Sequence, residues 1–207
     1  MDPSDPDPSP TVIPFQYNPT TMTRKLEVQS ASDGGSFSEV HRLTGPPIET
    51  ISVEIELDAT DALEQEDDAA VDGGIHAQLA ALEMLVYPTS QSIVDNERLV
   101  SEGTIEIAPT QGPFTLLIWG RKRVLPVRIA DFSITEEAFD PNLNPIRARI
   151  SISMRVLSYN DLPSSHQGYG LFMAHHVSKE ALAATGSVSS LDGVLGATLE
   201  EVLSDAG

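Results

Sequence analysis

From Ile146 to Val156 the chain alternates without a break: Ile146, Ala148, Ile150, Ile152, Met154 and Val156 share one parity, and Arg147, Arg149, Ser151, Ser153 and Arg155 the other. Successive side chains leave a strand on opposite faces, so this pattern demands a strand with one buried and one wet face. At the usual rise it would run for more than about 30 Å. Between Thr50 and Asp58 the rule repeats, with Ile51, Val53, Ile55 and Leu57 against Ser52, Glu54 and Glu56. Half-buried strands of this kind belong to an antiparallel sheet.

Weaker strand signals surround these two. Ile13, Phe15 and Tyr17 alternate up to the turn pair Asn18-Pro19, and a further strand is expected from Met22 to Gln29. Strand-like runs also occur at Thr104–Ile107, Phe114–Trp119 and Val124–Ile134. In the last of these, Val127 and Ile129 share one phase while Ala130, Phe132 and Ile134 take the other, which calls for a β-bulge near Ile129–Ala130. Ile75, Leu79, Leu82 and Val86 recur at helical spacing before Pro88, predicting one amphipathic helix packed on the sheet. Tyr169 to Ala184 reads as a helix, and Leu191, Leu195, Leu199 and Val202 as a second tail helix. Ser30 to Ser38, centred on Gly34-Gly35, has the composition of a loop.

The fold class expected is therefore mainly β with one packed helix, an α+β arrangement of curled sheet or barrel with a helical C-terminal tail. With 207 residues there is room for one core plus extensions. The expected organisation is a flexible Asp-Pro-Ser arm over 1–10, a β domain over 11–162 and a helical extension over 163–207.

Charge narrows the partners. Twelve basic residues against 31 acidic ones give a net charge of −19, a field that repels phosphate backbones and anionic head groups, so neither nucleic acid nor direct membrane insertion is expected. The first ten residues lack the basic start and apolar run of a signal peptide, which points to assembly in the cytoplasm.

Candidate chemistry is sparse. Cysteine is absent, which removes thiol nucleophiles and thiolate metal sites. None of Lys25, Lys122 and Lys179 follows a glycine, so no phosphate loop is present, and no Gly-x-Ser-x-Gly elbow occurs. Adjacent helical residues point about 100° apart, so His175 and His176 read as a helix-surface or interface pair rather than one metal site. The acidic stretch Asp58–Asp72 does not match calcium-loop spacing and reads as a solvated face. Asp131, Glu136, Glu137 and Asp140 supply carboxylates, but nothing in the sequence makes them converge. No catalytic residue, metal or cofactor is expected.

More informative is where charge lies. No Lys or Arg occurs between Leu43 and Glu97, whereas seven of the 12 basic residues fall between Arg121 and Arg155. Two readings stand side by side: pairing within the subunit or simply solvated faces, against Arg121, Lys122 and Arg123 meeting the acidic segment around Asp67 and Asp68 of a neighbour, as rings of identical subunits require.

Several of these motifs occur in an order that resembles one family. Phe15-Gln16-Tyr17-Asn18-Pro19, Gly45-Pro46-Pro47-Ile48-Glu49 leading into the Ile51–Asp58 strand, Leu117-Ile118-Trp119-Gly120 followed by Leu125-Pro126-Val127-Arg128, and Phe139-Asp140-Pro141 through Asn144-Pro145-Ile146-Arg147-Ala148 are similar to the contractile injection system tube proteins over about residues 11–162. The physics of the motifs is intelligible: Pro19 fixes a turn, Trp119 offers a large core surface, and Pro145 begins a strand without needing a ladder donor.

The resemblance implies a phage-tail-like curled sheet, six copies forming a ring around a channel, and no enzymatic activity. It implies partners among the inner-tube and baseplate or spike proteins of one particle, at the tube-to-baseplate junction, with a repeating shaft protein as the alternative. Related junction proteins often carry a peptidoglycan-binding LysM module; residues 163–207 show no Gly-Asp-Thr-Leu motif for one. A rival from another class, a stand-alone ligand-binding β-barrel or metal-dependent hydrolase, would need a deep polar pocket.

Overall fold

The computed structural model describes residues 11–30, 43–101 and 112–186; the arm over 1–10, most of the Gly34-Gly35 loop, the run Thr104–Ile107 and the helix expected at Leu191–Val202 lie outside them. The strands are β1 (Met22–Glu27), β2 (Ile48–Asp58), β3 (Thr115–Ile118), β4 (Val124–Phe139) and β5 (Pro145–Val156). They form one antiparallel sheet in the order β1-β2-β5-β4-β3. The helices are α1 (Thr60–Glu64), α2 (Asp68–Gly73), α3 (His76–Glu83), α4 (Ser90–Ser101) and α5 (Gln167–Gly186).

The two strictly alternating runs lie side by side at the centre. Ile51 stands opposite Met154, Val53 opposite Ile152, Ile55 opposite Ile150 and Leu57 opposite Ala148, and all of these are buried. Leu117, Leu125 and Val127 carry the apolar layer across β3 and β4, and Ile75, Leu79 and Leu82 complete the cluster from the α3 side. Each fully buried aliphatic side chain of this size contributes about 1.5–3 kcal/mol. The expected bulge is present: the β4–β5 register shifts between Ile129 and Asp131, transferring the core phase from Ile129 to Phe132 and Ile134.

β1 and β3 occupy opposite edges, which a flat sheet would hold about 19 Å apart. Yet the Arg123 guanidinium, in the turn after β3, lies 3.6 Å from Met22 Sδ of β1. The rings of Phe15 and Trp119 meet edge to face, with centroids 6.2 Å apart. The sheet is curled into a half-barrel, and these contacts bridge its two sides.

Some expectations are corrected. Ile13–Tyr17 is not a strand: the chain bends at Gln16-Tyr17, because Pro14 lacks a ladder donor and side chains take over the pairing. The Gln16 amide donates to the Asp58 carbonyl (2.6 Å) and accepts from the Asp58 N–H (2.9 Å). β1 stops at Glu27 rather than Gln29, and β4 continues past Ile134 to Phe139. The helix expected over Ile75, Leu79, Leu82 and Val86 is present as α3, but it ends at Glu83 and leaves Val86 exposed, and the short helices α1 and α2 precede it in the acidic stretch. The tail helix expected at Tyr169–Ala184 is present as α5.

Two points fix the helices to the sheet. At Gly74, after α2, φ is +58°, and Ile75 N–H donates to the Pro145 carbonyl at 3.0 Å, joining α3 to the start of β5. At the other end, Glu49 takes a core-phase position of β2 and is buried. Arg24 Nε of β1 donates to its Oε1 at 2.7 Å, and Lys179 Nζ of α5 to its Oε2 at 3.3 Å. Burial by itself would raise the Glu49 pKa, but the Arg24 hydrogen bond and the charges of Lys179 and Arg24 outweigh it and leave it lowered.

A Cβ at position 74 would stand 2.2 Å from the Pro145 carbonyl oxygen. Gly74→Ala is therefore expected to destabilise by roughly 3 kcal/mol, seen as a lower urea midpoint, whereas Gly73→Ala, whose Cβ meets nothing within 4 Å, leaves the midpoint unchanged or raised. Glu49→Ala should cost about 2 kcal/mol by leaving Arg24 and Lys179 without their shared carboxylate. Because the folded pKa is lowered, the Glu49 contribution is complete above its ordinary value of 4.5 and is lost as the pH falls below it. The stability gap between wild type and Glu49→Ala, measured by urea unfolding across pH, should therefore be flat near neutrality and narrow in acid.

Candidate assembly surface

The turn from β3 to β4 carries Arg121, Lys122 and Arg123. Gly120 supplies the left-handed residue the turn needs (φ +65°), and Trp119 N–H closes it by donating to the Arg123 carbonyl at 2.8 Å. This is why glycine follows tryptophan in the motif. Arg121 and Lys122 are exposed and Arg123 is half-buried, its guanidinium directed at Met22. The Lys122 carbonyl faces His175 Nδ1 of α5 at 3.3 Å.

The acidic segment is divided among different tasks. Asp67 caps α2, its carboxylate accepting from Ala70 N–H at 3.1 Å, and Asp68 sits exposed in the first turn of that helix, where negative charge complements the helix dipole. Asp58 accepts from Thr60 and binds Arg147 at 2.7 Å; the Thr60 hydroxyl first, then the Thr60 backbone N–H and the Arg147 guanidinium, hold its pKa low against burial.

The β-face opposite the core is polar throughout its central strands. Reading across β2, β5 and β4, the rows are Asp58–Arg147–Glu137, Glu56–Arg149–Thr135, Glu54–Ser151–Ser133, Ser52–Ser153–Asp131 and Thr50–Arg155–Arg128. Arg149 lies 3.3–3.6 Å from carboxylate oxygens of Glu54, Glu56 and Glu137, and Arg155 reaches Asp161 at 2.8 Å. For Arg147, Arg149 and Arg155 the intramolecular pairing weighed from the sequence is thus what the structure contains. Exposed pairs of this kind contribute at most about 1 kcal/mol each; their effect is to leave this face nearly balanced in charge in a chain of net charge −19.

The hairpin motif between β4 and β5 is a hydrogen-bonded turn. Asp140 Oδ1 accepts from Asn142 N–H (2.7 Å) and Asn144 N–H (2.8 Å), and its Oδ2 accepts from the Asn144 amide (2.9 Å). The Asn144 backbone bond leads the lowering of the Asp140 pKa. Phe139 is exposed and Pro145 fully buried. Asp131, Glu136, Glu137 and Asp140 occupy separate positions along β4 and its turn rather than one cleft. The two histidines likewise diverge: His175 turns to Lys122, while His176 stacks on Phe172 and lies 3.4 Å from Glu180. Near the start of the chain, Pro19 is half-buried beside the exposed Asn18.

Among the described residues one side of the sheet is open. β3 pairs with β4 over Val124–Val127 alone, and among the described residues no strand pairs with the outer edge of β4 from Arg128 to Phe139. Along this edge runs an open groove of about 500 Å³, with Ile129, Phe132 and Ile134 on one side, Val86 and Tyr87 on the other, and Glu83 and Asp131 among its lining. Beside the edge strand β1, Leu26 and Val28 are exposed. No helix of the described residues is long and apolar enough to cross a membrane.

Sequence reasoning missed Gln16, the Glu49 clamp and the His175 contact. Glu49 was detectable, since it has the parity of Ile51 and so had to point into the core; its partners were not, standing 25 and 130 residues away. Gln16 left no periodic signal.

Comparison with known proteins agrees with the motif order. No curated protein matches the chain. The family model described as contractile injection system tube protein matches residues 2–161, spanning the Phe15–Trp119 contact, both central strands and the Asp140 turn, and the chain therefore belongs to the contractile injection system tube protein family.

Proposed function

We propose that this chain is a structural subunit that closes into a six-membered ring at the junction of inner tube and baseplate, acting by assembly and carrying no catalytic residue. The observation that carries the ring is the outer edge of β4 beyond Val127, on which no strand of the described residues pairs, with a groove of mixed polar and apolar lining beside it. An open edge presents unmet backbone donors and acceptors, a template for strand addition. On the far side of the sheet, β1 offers a second edge with Leu26 and Val28 exposed beside it. Two different edges on one subunit make a heterologous contact, and such contacts close into rings when the rotation allows. The polar face would then line or flank the channel, its charges balanced by the Arg147 and Arg149 pairs.

Arg121 and Lys122 provide a second contact, directed at the acidic α1–α2 segment around Asp67 and Asp68 of the next copy. The helical insertion α1–α4 and the tail helix α5 favour a specialised junction subunit over a repeating shaft protein, since each adds surface beyond the sheet that a uniform stack does not require. Tube, baseplate and spike proteins of the same particle are its partners.

Electron microscopy of the particle tests the position: one six-fold ring at the base of the tube is expected, and many stacked rings would make the chain a shaft protein. The edge contact is tested by Leu26→Lys with Val28→Lys. Both positions are exposed, so subunit stability should change by less than about 0.5 kcal/mol, while ring formation measured by light scattering is lost. Reversing Arg121, Lys122 and Arg123 to Glu should weaken assembly at low salt and have less effect at high salt; unchanged assembly in both conditions would remove the basic turn from the interface.

A further inference from the structure

We propose that α5 is a pH-released clasp: the neutral ring of His175, seated between Lys179 and the Arg121–Arg123 turn, lets the helix dock, and protonation of that ring frees it. The geometry is specific about which nitrogen matters. A backbone carbonyl only accepts, so the contact to the Lys122 oxygen at 3.3 Å places the ring hydrogen on Nδ1 and leaves Nε2 as a lone pair. Nε2 is enclosed and has no hydrogen-bond partner among the described residues. A proton added there makes a cation whose second N–H is closed off from water without an acceptor, which is a costly state.

The surrounding charges add to this. Lys179 lies one turn further along α5, and Arg123 stands in the turn beneath. Glu49 reaches the site from β2, but its two oxygens already bind Arg24 of β1 and Lys179. On α5 itself, His176 and Glu180 pair with each other. Burial first, and Lys179 next, hold the His175 pKa below its ordinary 6.5; Arg123 adds to the lowering, while the Lys122 carbonyl and Glu49 oppose it. With the docked value lowered, docking is complete above the ordinary value and weakens as the pH falls through it towards the docked value. The loss can reach about tenfold per pH unit.

Release would free more than a helix. The carbonyl that His175 holds belongs to Lys122, so undocking unfastens the turn that presents Arg121 and Lys122. That consequence rests on the ring reading; the release itself does not, and is measured on the unassembled full-length chain.

The test is amide hydrogen exchange at about pH 7.5 and about pH 5.5, expressed as protection relative to intrinsic rates. The expected result is a fall in α5 protection, of up to about tenfold, with β2 and β5 unchanged. His175→Asn, whose amide can still donate to Lys122 but cannot titrate, keeps α5 protected at both values, and His176→Asn releases as wild type does. Unchanged α5 protection in wild type overturns the clasp, as does release of the same size in His175→Asn. Should His175→Asn fail to dock at either pH, the wild-type imidazole titration by NMR decides: a His175 midpoint below 6.5 supports the clasp, and one at or above it overturns it.

Discussion

The antiparallel pairing of β2 with β5 is the constraint on which the rest of the molecule depends. Its register sets Ile51, Val53, Ile55 and Leu57 against Met154, Ile152, Ile150 and Ala148, and a slip of one residue would exchange the apolar face for Ser52, Glu54 and Glu56. With that pair fixed, every other choice follows by parity: Met22 and Arg24 of β1 share the core phase through Val53 and Ile51, and β4 must take a bulge to keep both Ile129 and Phe132 on the inner side.

Curling then adds contacts that no single strand encodes. Met22 meets Arg123, Phe15 meets Trp119, and Lys179 reaches Glu49. Each links a side of the sheet to an element far from it in sequence. Glu49 illustrates the balance. Its burial opposes the charge, and two cations on two separate elements restore it. Such a triad does little for net stability compared with an apolar residue in its place, but it selects one position for α5.

What the sequence made legible was the period-two order: the two central strands, the bulge and the polar outer face all follow from parity alone. The helices after β2 were less legible because composition there serves caps and solvation rather than one long stripe; Asp67 interrupts the run as a cap, and Gly74 ends α2 with a backbone shape that only the approach of Pro145 explains. Ile13–Tyr17 misled for a related reason: its alternation is real, since Ile13 and Phe15 pack on the core, but Pro14 prevents a ladder and Gln16 replaces it with a side chain. The charge segregation was legible as a count and ambiguous as a structure, because parity placed Arg147, Arg149 and Arg155 among acidic neighbours while the Trp119-Gly120 turn carried Arg121 and Lys122 outwards.

That division separates two kinds of surface on one subunit. The outer sheet face neutralises itself, row by row, so it can lie near copies of itself without strong repulsion despite the chain's charge of −19. The excess of negative charge is displaced onto the helical segment after β2 and the exposed positive charge onto the β3–β4 turn, which favours contacts between unlike surfaces over contacts between like ones. The fold's polarity therefore comes from the same alternation that builds its core: one parity makes the interior, and the other decides which outer surfaces remain charged.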